Sequence, residues 1–172
     1  MPRNIEIKAS IERIDDLLPK ALAIADQGPV EIEQDDSFFR CDAGRLKLRT
    51  FSPSAGELIF YRRADQQGPK ESFYQLTPTH EPDRLRETLS LAWGQIGRVQ
   101  KKRTLLLVGR TRIHLDRVQG LGHFLELEVV LEEDEPLEAG MQEANDIMAQ
   151  LEVEPSQLIE GAYLDLLLRQ QA

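Results

Sequence analysis

Hydrophobic and polar positions alternate with period 2 along six stretches of the chain: Asn4 to Ser10, Arg45 to Thr50, Glu57 to Arg63, Val99 to Leu107, Arg110 to Val118 and Phe124 to Leu131. Successive side chains of a strand point to opposite faces, so this period predicts strands. Turn-forming sequences join them. Asp42-Ala43-Gly44 follows a run ending in Phe38-Phe39-Arg40, Pro53-Ser54-Ala55-Gly56 separates a second pair, and Val108-Gly109 reads as a tight hairpin. Connections this short imply antiparallel neighbours. Four other segments switch to helical spacing. Ile14, Leu17, Leu18, Ala21, Leu22 and Ala25 make one apolar stripe, in which Pro19 predicts a kink or a restart. A second helix is predicted from about Pro82 to Ala92, stopping before Gly94, and a third from Pro136 to Leu151. The last is predicted from Ser156, a good N-cap, through Leu167, with Gly161 weakening it locally. Strand hairpins with interspersed helices make an α+β domain dominated by an antiparallel sheet. With no linker, low-complexity block or repeat to divide it, residues 1–172 read as a single domain.

Charge changes the picture. The chain carries 21 Lys and Arg against 30 Asp and Glu, a net charge of −9, which counts against a nucleic-acid partner or a polybasic membrane binder. The single cysteine, Cys41, closes no intrachain disulfide and builds no thiolate zinc cage, and a cytoplasmic location is expected. Met1 to Lys8 has no signal-peptide apolar core, and no stretch approaches the roughly 18 apolar residues of a spanning helix.

Within the strands, however, charges share faces. Glu6 and Lys8 have one parity, as do Lys47 and Arg49, Lys101 and Arg103, Arg112, His114 and Asp116, and Glu126 and Glu128. The opposite parities are Ile5 and Ile7, Leu46 and Leu48, and Leu125, Leu127 and Val129. Such strands can curl with the apolar faces outward under helices and the charged faces inward, closing into a barrel with a polar lumen. Seven cations (Lys8, Lys47, Arg49, Arg63, Lys101, Arg103 and Arg112) and four anions (Glu6, Asp116, Glu126 and Glu128) would then give a local excess of +3 in an acidic chain. A small polyanion held by many donors suits that excess, and a triphosphate is the obvious candidate. Carboxylates facing the same polyanion would repel it unless a hard divalent cation lies between them.

Asn4-Ile5-Glu6-Ile7-Lys8 resembles the Glu-x-Glu-x-Lys signature of the CYTH family, or triphosphate tunnel metalloenzymes, which includes class IV adenylyl cyclases, thiamine triphosphatases and inorganic triphosphatases. Further segments resemble the family's motifs in order: Gln34-x-Asp36-x-Phe38-Phe39, Leu46-Lys47-Leu48-Arg49, Tyr61-x-Arg63, Pro69-Lys70-x-Ser72-x-Tyr74 and Val99-x-Lys101-x-Arg103. Ile113-His114-Leu115-Asp116, Gly120-Leu121-Gly122-x-Phe124-Leu125-Glu126-Leu127-Glu128 and Ala162-Tyr163-x-x-Leu166-Leu167 complete the series. The resemblance implies an eight-stranded antiparallel β-barrel, a triphosphate tunnel, with helices packed outside. It implies Mg²⁺ or Mn²⁺ held by Glu6, Glu126 and Glu128, with Asp116 as a further ligand candidate. It also implies that Lys8, Lys47, Arg49, Arg63, Lys101, Arg103 and Arg112 grip phosphates, and that Glu6, Lys8, Glu126 and Glu128 act in catalysis.

The expected activity is metal-dependent hydrolysis of a small triphosphate, such as ATP, thiamine triphosphate or inorganic triphosphate. The alternatives are a class IV adenylyl cyclase, forming cyclic AMP and pyrophosphate, and a non-catalytic triphosphate-binding protein. Asn4 departs from the signature's first acidic position, and an amide brings no charge to a metal, so a weakened or lost metal site is expected there. His114 is read as a hydrogen-bonded barrel histidine and not as a catalytic group.

Overall fold

The computed structural model describes residues 3–63 and 67–171. Among these, eight strands and four α-helices follow in the order β1 (Arg3–Ile11), α1 (Ile14–Ile24), β2 (Gln27–Phe39), β3 (Arg45–Ser52), β4 (Ala55–Arg63), β5 (Lys70–Thr79), α2 (Pro82–Trp93), β6 (Gln95–Val108), β7 (Thr111–Val118), β8 (Gly122–Leu131), α3 (Leu137–Gln150) and α4 (Tyr163–Gln171). All neighbouring strands are antiparallel and close into one ring, β1-β5-β4-β3-β2-β6-β7-β8, with the helices outside. The α+β architecture and the tunnel expected from the sequence are both present.

The ring is inverted relative to an ordinary barrel. Its outward apolar faces are the core: Ile5, Ile7, Leu106, Ile113, Leu115, Leu125, Leu127 and Val129 are fully buried beneath Ile14, Leu17 and Ala21 of α1 and Ala144 and Ile147 of α3. Each such aliphatic side chain contributes about 1.5–3 kcal/mol by leaving water. A β-carbon at Gly140 would come within 2.7 Å of Ile5 and Leu131 side-chain atoms, so glycine sets how closely α3 lies on β1 and β8. The first N–H of α1, that of Ile14, is donated to His123 Nδ1 of β8 at 3.0 Å, which ties the helix entry to the sheet. The chain passes through Pro19 as one helix, so the expected restart is absent.

The predicted C-terminal helix is corrected. Pro155–Gln157 form a 3-10 turn closed by a reciprocal capping box between Glu154 and Gln157, after which the chain extends. Leu158 bridges Ala9, and the Ile159 N–H donates to the Lys8 carbonyl at 3.1 Å. This segment occupies the edge of β1 beyond Glu6, where pairing with β5 ends. Gly161, with φ of +82°, then turns the chain, and Asp165 Oδ2 accepts the Ala162 N–H at 2.9 Å as α4 begins. Helical spacing from Ser156 is therefore broken by a residue in the left-handed region.

Candidate active site

Inward-facing positions of all eight strands line a cavity of about 300 Å³. Its inner end is closed by an apolar plug in which Tyr163 and Leu164 of α4 pack with Phe38, Val99, Val118 and Phe124. The Tyr163 hydroxyl donates to Asp116 Oδ2 at 2.7 Å, and its ring lies under Lys8 Nζ at 4.1 Å and Lys101 Nζ at 5.1 Å. At the opposite mouth the lining turns apolar, with Ile32, Phe51, Leu76 and Leu105. A larger groove of about 860 Å³ crosses the outer surface of β3, β2, β6 and β7. Its charges are paired as Asp35 with Arg98, Glu33 with Lys102 and Arg117 with Asp15, so it concentrates no field of one sign.

One wall of the lumen is organised by Asp36, which is fully buried. Arg49 donates through Nε and Nη2 to its two oxygens at 2.9 Å each, and Lys47 and Lys101 stand 3.7 and 3.5 Å from Oδ2. Burial disfavours the Asp36 carboxylate, but Arg49, Lys101 and Lys47 outweigh it and hold the group far below the usual carboxylate range. The lysines bear the reverse effect. Burial, then the Arg49 charge, pushes Lys47 well below its ordinary value, and burial with Arg103 lowers Lys101 to about 8.

A second fork fixes Arg103, whose Nε and Nη2 donate to Asp116 at 2.8 and 2.9 Å. Burial opposes ionisation of Asp116, yet Arg103 keeps its pKa down at about 2. Both Arg pairs use the Nε–Nη2 edge, so the donors on Nη1 stay outside the fork and available to a polyanion. Asp116 Oδ2 is shared between Arg103 Nη2 and the Tyr163 hydroxyl, so both partners hold this carboxylate in place.

The carboxylates of β8 face the remaining groups. Glu126 Oε2 is 3.8 Å from Lys8 Nζ, and Glu128 Oε2 is 3.2 Å from Arg112 Nη2. Their Oε1 atoms lie 3.8 and 3.7 Å from His114 Nδ1. Burial raises the Glu126 pKa, but His114, Lys8 and Arg103 around it hold the group well below the usual range. Glu6 stands opposite Glu128 and is buried on the same lining. Lys8 also donates to the Gly161 carbonyl at 3.1 Å, so the C-terminal segment positions this ammonium directly.

The structure thus brings Glu6, Lys8, Lys47, Arg49, Lys101, Arg103, Arg112, Glu126 and Glu128 onto one cavity. Arg63 ends β4, and its side chain lies outside the described residues. Sequence reasoning left out Asp36, although it shares the inward parity of Gln34 and Phe38, and Lys70, which is fully buried opposite Glu6. His114 Nδ1 and Asn4 Oδ1 are each buried without a hydrogen-bond partner. Buried lone pairs of this kind are costly unless something fills the space between them. His114 Nδ1 and one carboxylate oxygen each of Glu126 and Glu128 lie within 4.8 Å of one another, a donor set suited to a divalent cation, so these residues fit a metal.

Comparisons with known proteins agree with this geometry. The chain is 23% identical to the adenylate cyclase CyaB of Aeromonas hydrophila over 172 residues, covering 95% of this chain and 87% of the relative. It superposes with a TM-score of 0.81 on a protein from Pyrococcus horikoshii, at 20% identity and coverage of 95% of this chain and 98% of that one. With a Hippeastrum protein described as having a dominant triphosphatase activity, the TM-score is 0.68 at 16% identity, covering 99% of this chain and 96% of that one. The CYTH domain model matches residues 2–163, nearly the whole of the ring and its plug, and the chain accordingly belongs to the CYTH family.

Proposed function

We propose that the protein is a divalent-metal-dependent hydrolase acting on the triphosphate moiety of a small molecule. The observation that carries this reading is the division of one closed lumen into a wall of carboxylate-oriented cations and a pair of β8 carboxylates, Glu126 and Glu128. Lys47, Arg49, Lys101 and Arg103 bind the phosphate oxygens, with Asp36 and Asp116 holding the two guanidiniums in place before substrate arrives. Fixed donors of this kind cost little reorganisation as charge develops at phosphorus. Lys8, held by Gly161 and Glu126, sets the position of the reacting phosphate, and Arg112 steadies Glu128. A bound Mg²⁺ or Mn²⁺ would neutralise phosphate charge beside Glu6, Glu126 and Glu128.

In the reaction a water oxygen forms a bond to the terminal phosphorus, and the bond from that phosphorus to the bridging oxygen breaks. The bridging oxygen leaves on the diphosphate, and the proton of the attacking water passes to solvent. The plug at Tyr163 closes the inner end, so substrate enters and products leave by the apolar mouth.

The relation to CyaB, with the apolar mouth, favours a second reading as adenylyl cyclase, because Ile32, Phe51, Leu76 and Leu105 offer a surface to an organic group joined to the triphosphate. Product analysis decides between them. Purified protein is incubated with Mg²⁺ or Mn²⁺ and, in parallel, ATP, inorganic triphosphate and thiamine triphosphate. Orthophosphate with a diphosphate product is expected. Cyclic AMP with pyrophosphate would replace this reading by the cyclase, and binding without either product would leave a triphosphate-binding protein.

A further inference from the structure

The metal centre of the proposed hydrolase has an unassigned third side. Glu126 and Glu128 each divide their oxygens, Oε2 toward a cation (Lys8 or Arg112) and Oε1 toward His114. His114 is only 5% exposed, and its Nδ1 has no hydrogen-bond partner. The observed 3.8 and 3.7 Å from Nδ1 to those Oε1 atoms are too long for hydrogen bonds. All three donor atoms lie within 4.8 Å of one another, close enough to ligate one ion together.

We propose that His114 is a metal ligand, its Nδ1 joining Glu126 Oε1 and Glu128 Oε1, and that this set selects a first-row transition ion such as Mn²⁺ over Mg²⁺. The inference rests on the metal-dependent reading above and adds to it a residue and a metal preference. Mg²⁺ favours oxygen donors, whereas imidazole nitrogen is a ligand of the transition ions. Asn4 acts in the same direction. Where a carboxylate would add an anionic oxygen to the lining, this chain has a neutral amide with a buried, unpartnered Oδ1. The site therefore carries less negative charge, and more of its affinity comes from nitrogen.

Two measurements on the whole protein, without substrate, test this. Pulsed electron paramagnetic resonance of the Mn²⁺-loaded wild type is expected to show the modulation of a directly bound ¹⁴N nucleus. Titration should then show His114→Gln weakening Mn²⁺ binding at least 10-fold, with Mg²⁺ binding changed by less than about 3-fold. If Glu126→Gln and Glu128→Gln weaken Mn²⁺ binding but the wild type lacks nitrogen modulation, the role of His114 is overturned and the carboxylate centre stands. If the wild type binds neither ion, or those two variants bind like wild type, the metal-dependent reading falls with it. The resonance signature needs no variant, so misfolding of His114→Gln cannot mask the result.

Discussion

At the scale of single residues, the lumen consists of charges whose removal should separate chemistry from folding. Glu126→Gln and Glu128→Gln keep side-chain volume and remove a negative charge each. Lys8 would retain the Gly161 carbonyl and the Tyr163 ring after the first change. Metal-dependent turnover should fall by about 10²-fold or more in either variant, the scale at which one preorganised electrostatic partner is lost. The thermal midpoint should move by less than about 5 °C. Turnover and melting measured on the same preparations check this, and unfolding of both variants would contradict it. Lys101 gives a second expectation. Burial and Arg103 lower its pKa to about 8, so in the free protein it loses its proton as pH rises through that value. A triphosphate favours the ammonium and raises the pKa of the bound form. Binding should therefore take up protons at pH 8–9 and weaken with rising pH. Calorimetry of inorganic triphosphate binding in buffers of different ionisation enthalpy should show that uptake, reduced in Lys101→Met. Equal heats in all buffers would show that Lys101 is not at the phosphate.

At the scale of elements, α4 is the one whose boundary matters most. Tyr163 begins the helix, plugs the tunnel and donates to Asp116, which in turn holds Arg103. Tyr163→Phe leaves the plug packed but removes a buried donor to a carboxylate, a loss of about 1–3 kcal/mol. For a chain of this length the midpoint should drop by about 2–12 °C, with a weaker affinity for inorganic triphosphate because Arg103 is less firmly placed. A variant with wild-type melting and affinity would remove α4 from the site. The helix also shows where sequence reading stopped. Its apolar spacing was visible from Ser156, but Leu158 and Ile159 are drawn instead to the edge of β1, some 150 residues earlier, and periodicity carries no information on that pairing. The strands with a helix over their outer face, such as β1, β7 and β8, alternate cleanly. Much of β2 and β5 does not, because Glu31, Glu33, Gln75 and Thr77 face solvent there, leaving no apolar parity to detect. Beyond the Phe38-Phe39 end of β2, marked by the turn that follows it, those two strands were legible through motif resemblance. The charged inward parity was legible throughout, yet Asp36 was left out of the site because its weight depends on Arg49, Lys47 and Lys101 from other strands.

For the whole molecule, the chain is acidic but its tunnel gathers cations, each placed against a carboxylate. Within the ring, Asp36, Asp116, Glu126 and Glu128 compensate Lys47, Arg49, Lys101, Arg103, Lys8 and Arg112. The compensation is incomplete: removal from water, then the neighbouring Arg49 and Arg103 charges, push Lys47 and Lys101 toward neutrality. A polyanion that occupies the lumen relieves this repulsion in the folded state, and the unfolded chain, of net charge −9, has no comparable site for it. Ligand binding to the native state alone stabilises by RT ln(1 + [L]/Kd), about 2.7 kcal/mol at 100-fold excess over Kd. Inorganic triphosphate at that excess should therefore raise the thermal midpoint by about 5–11 °C. The shift should persist largely at moderate salt, since buried pairs are screened little, and should collapse in Lys47→Met. Orthophosphate, with fewer oxygens to span the cation wall, should give a smaller shift at equal concentration. Equal shifts for both anions would mean that binding reads charge on the surface and not the length of a chain of phosphates within the ring.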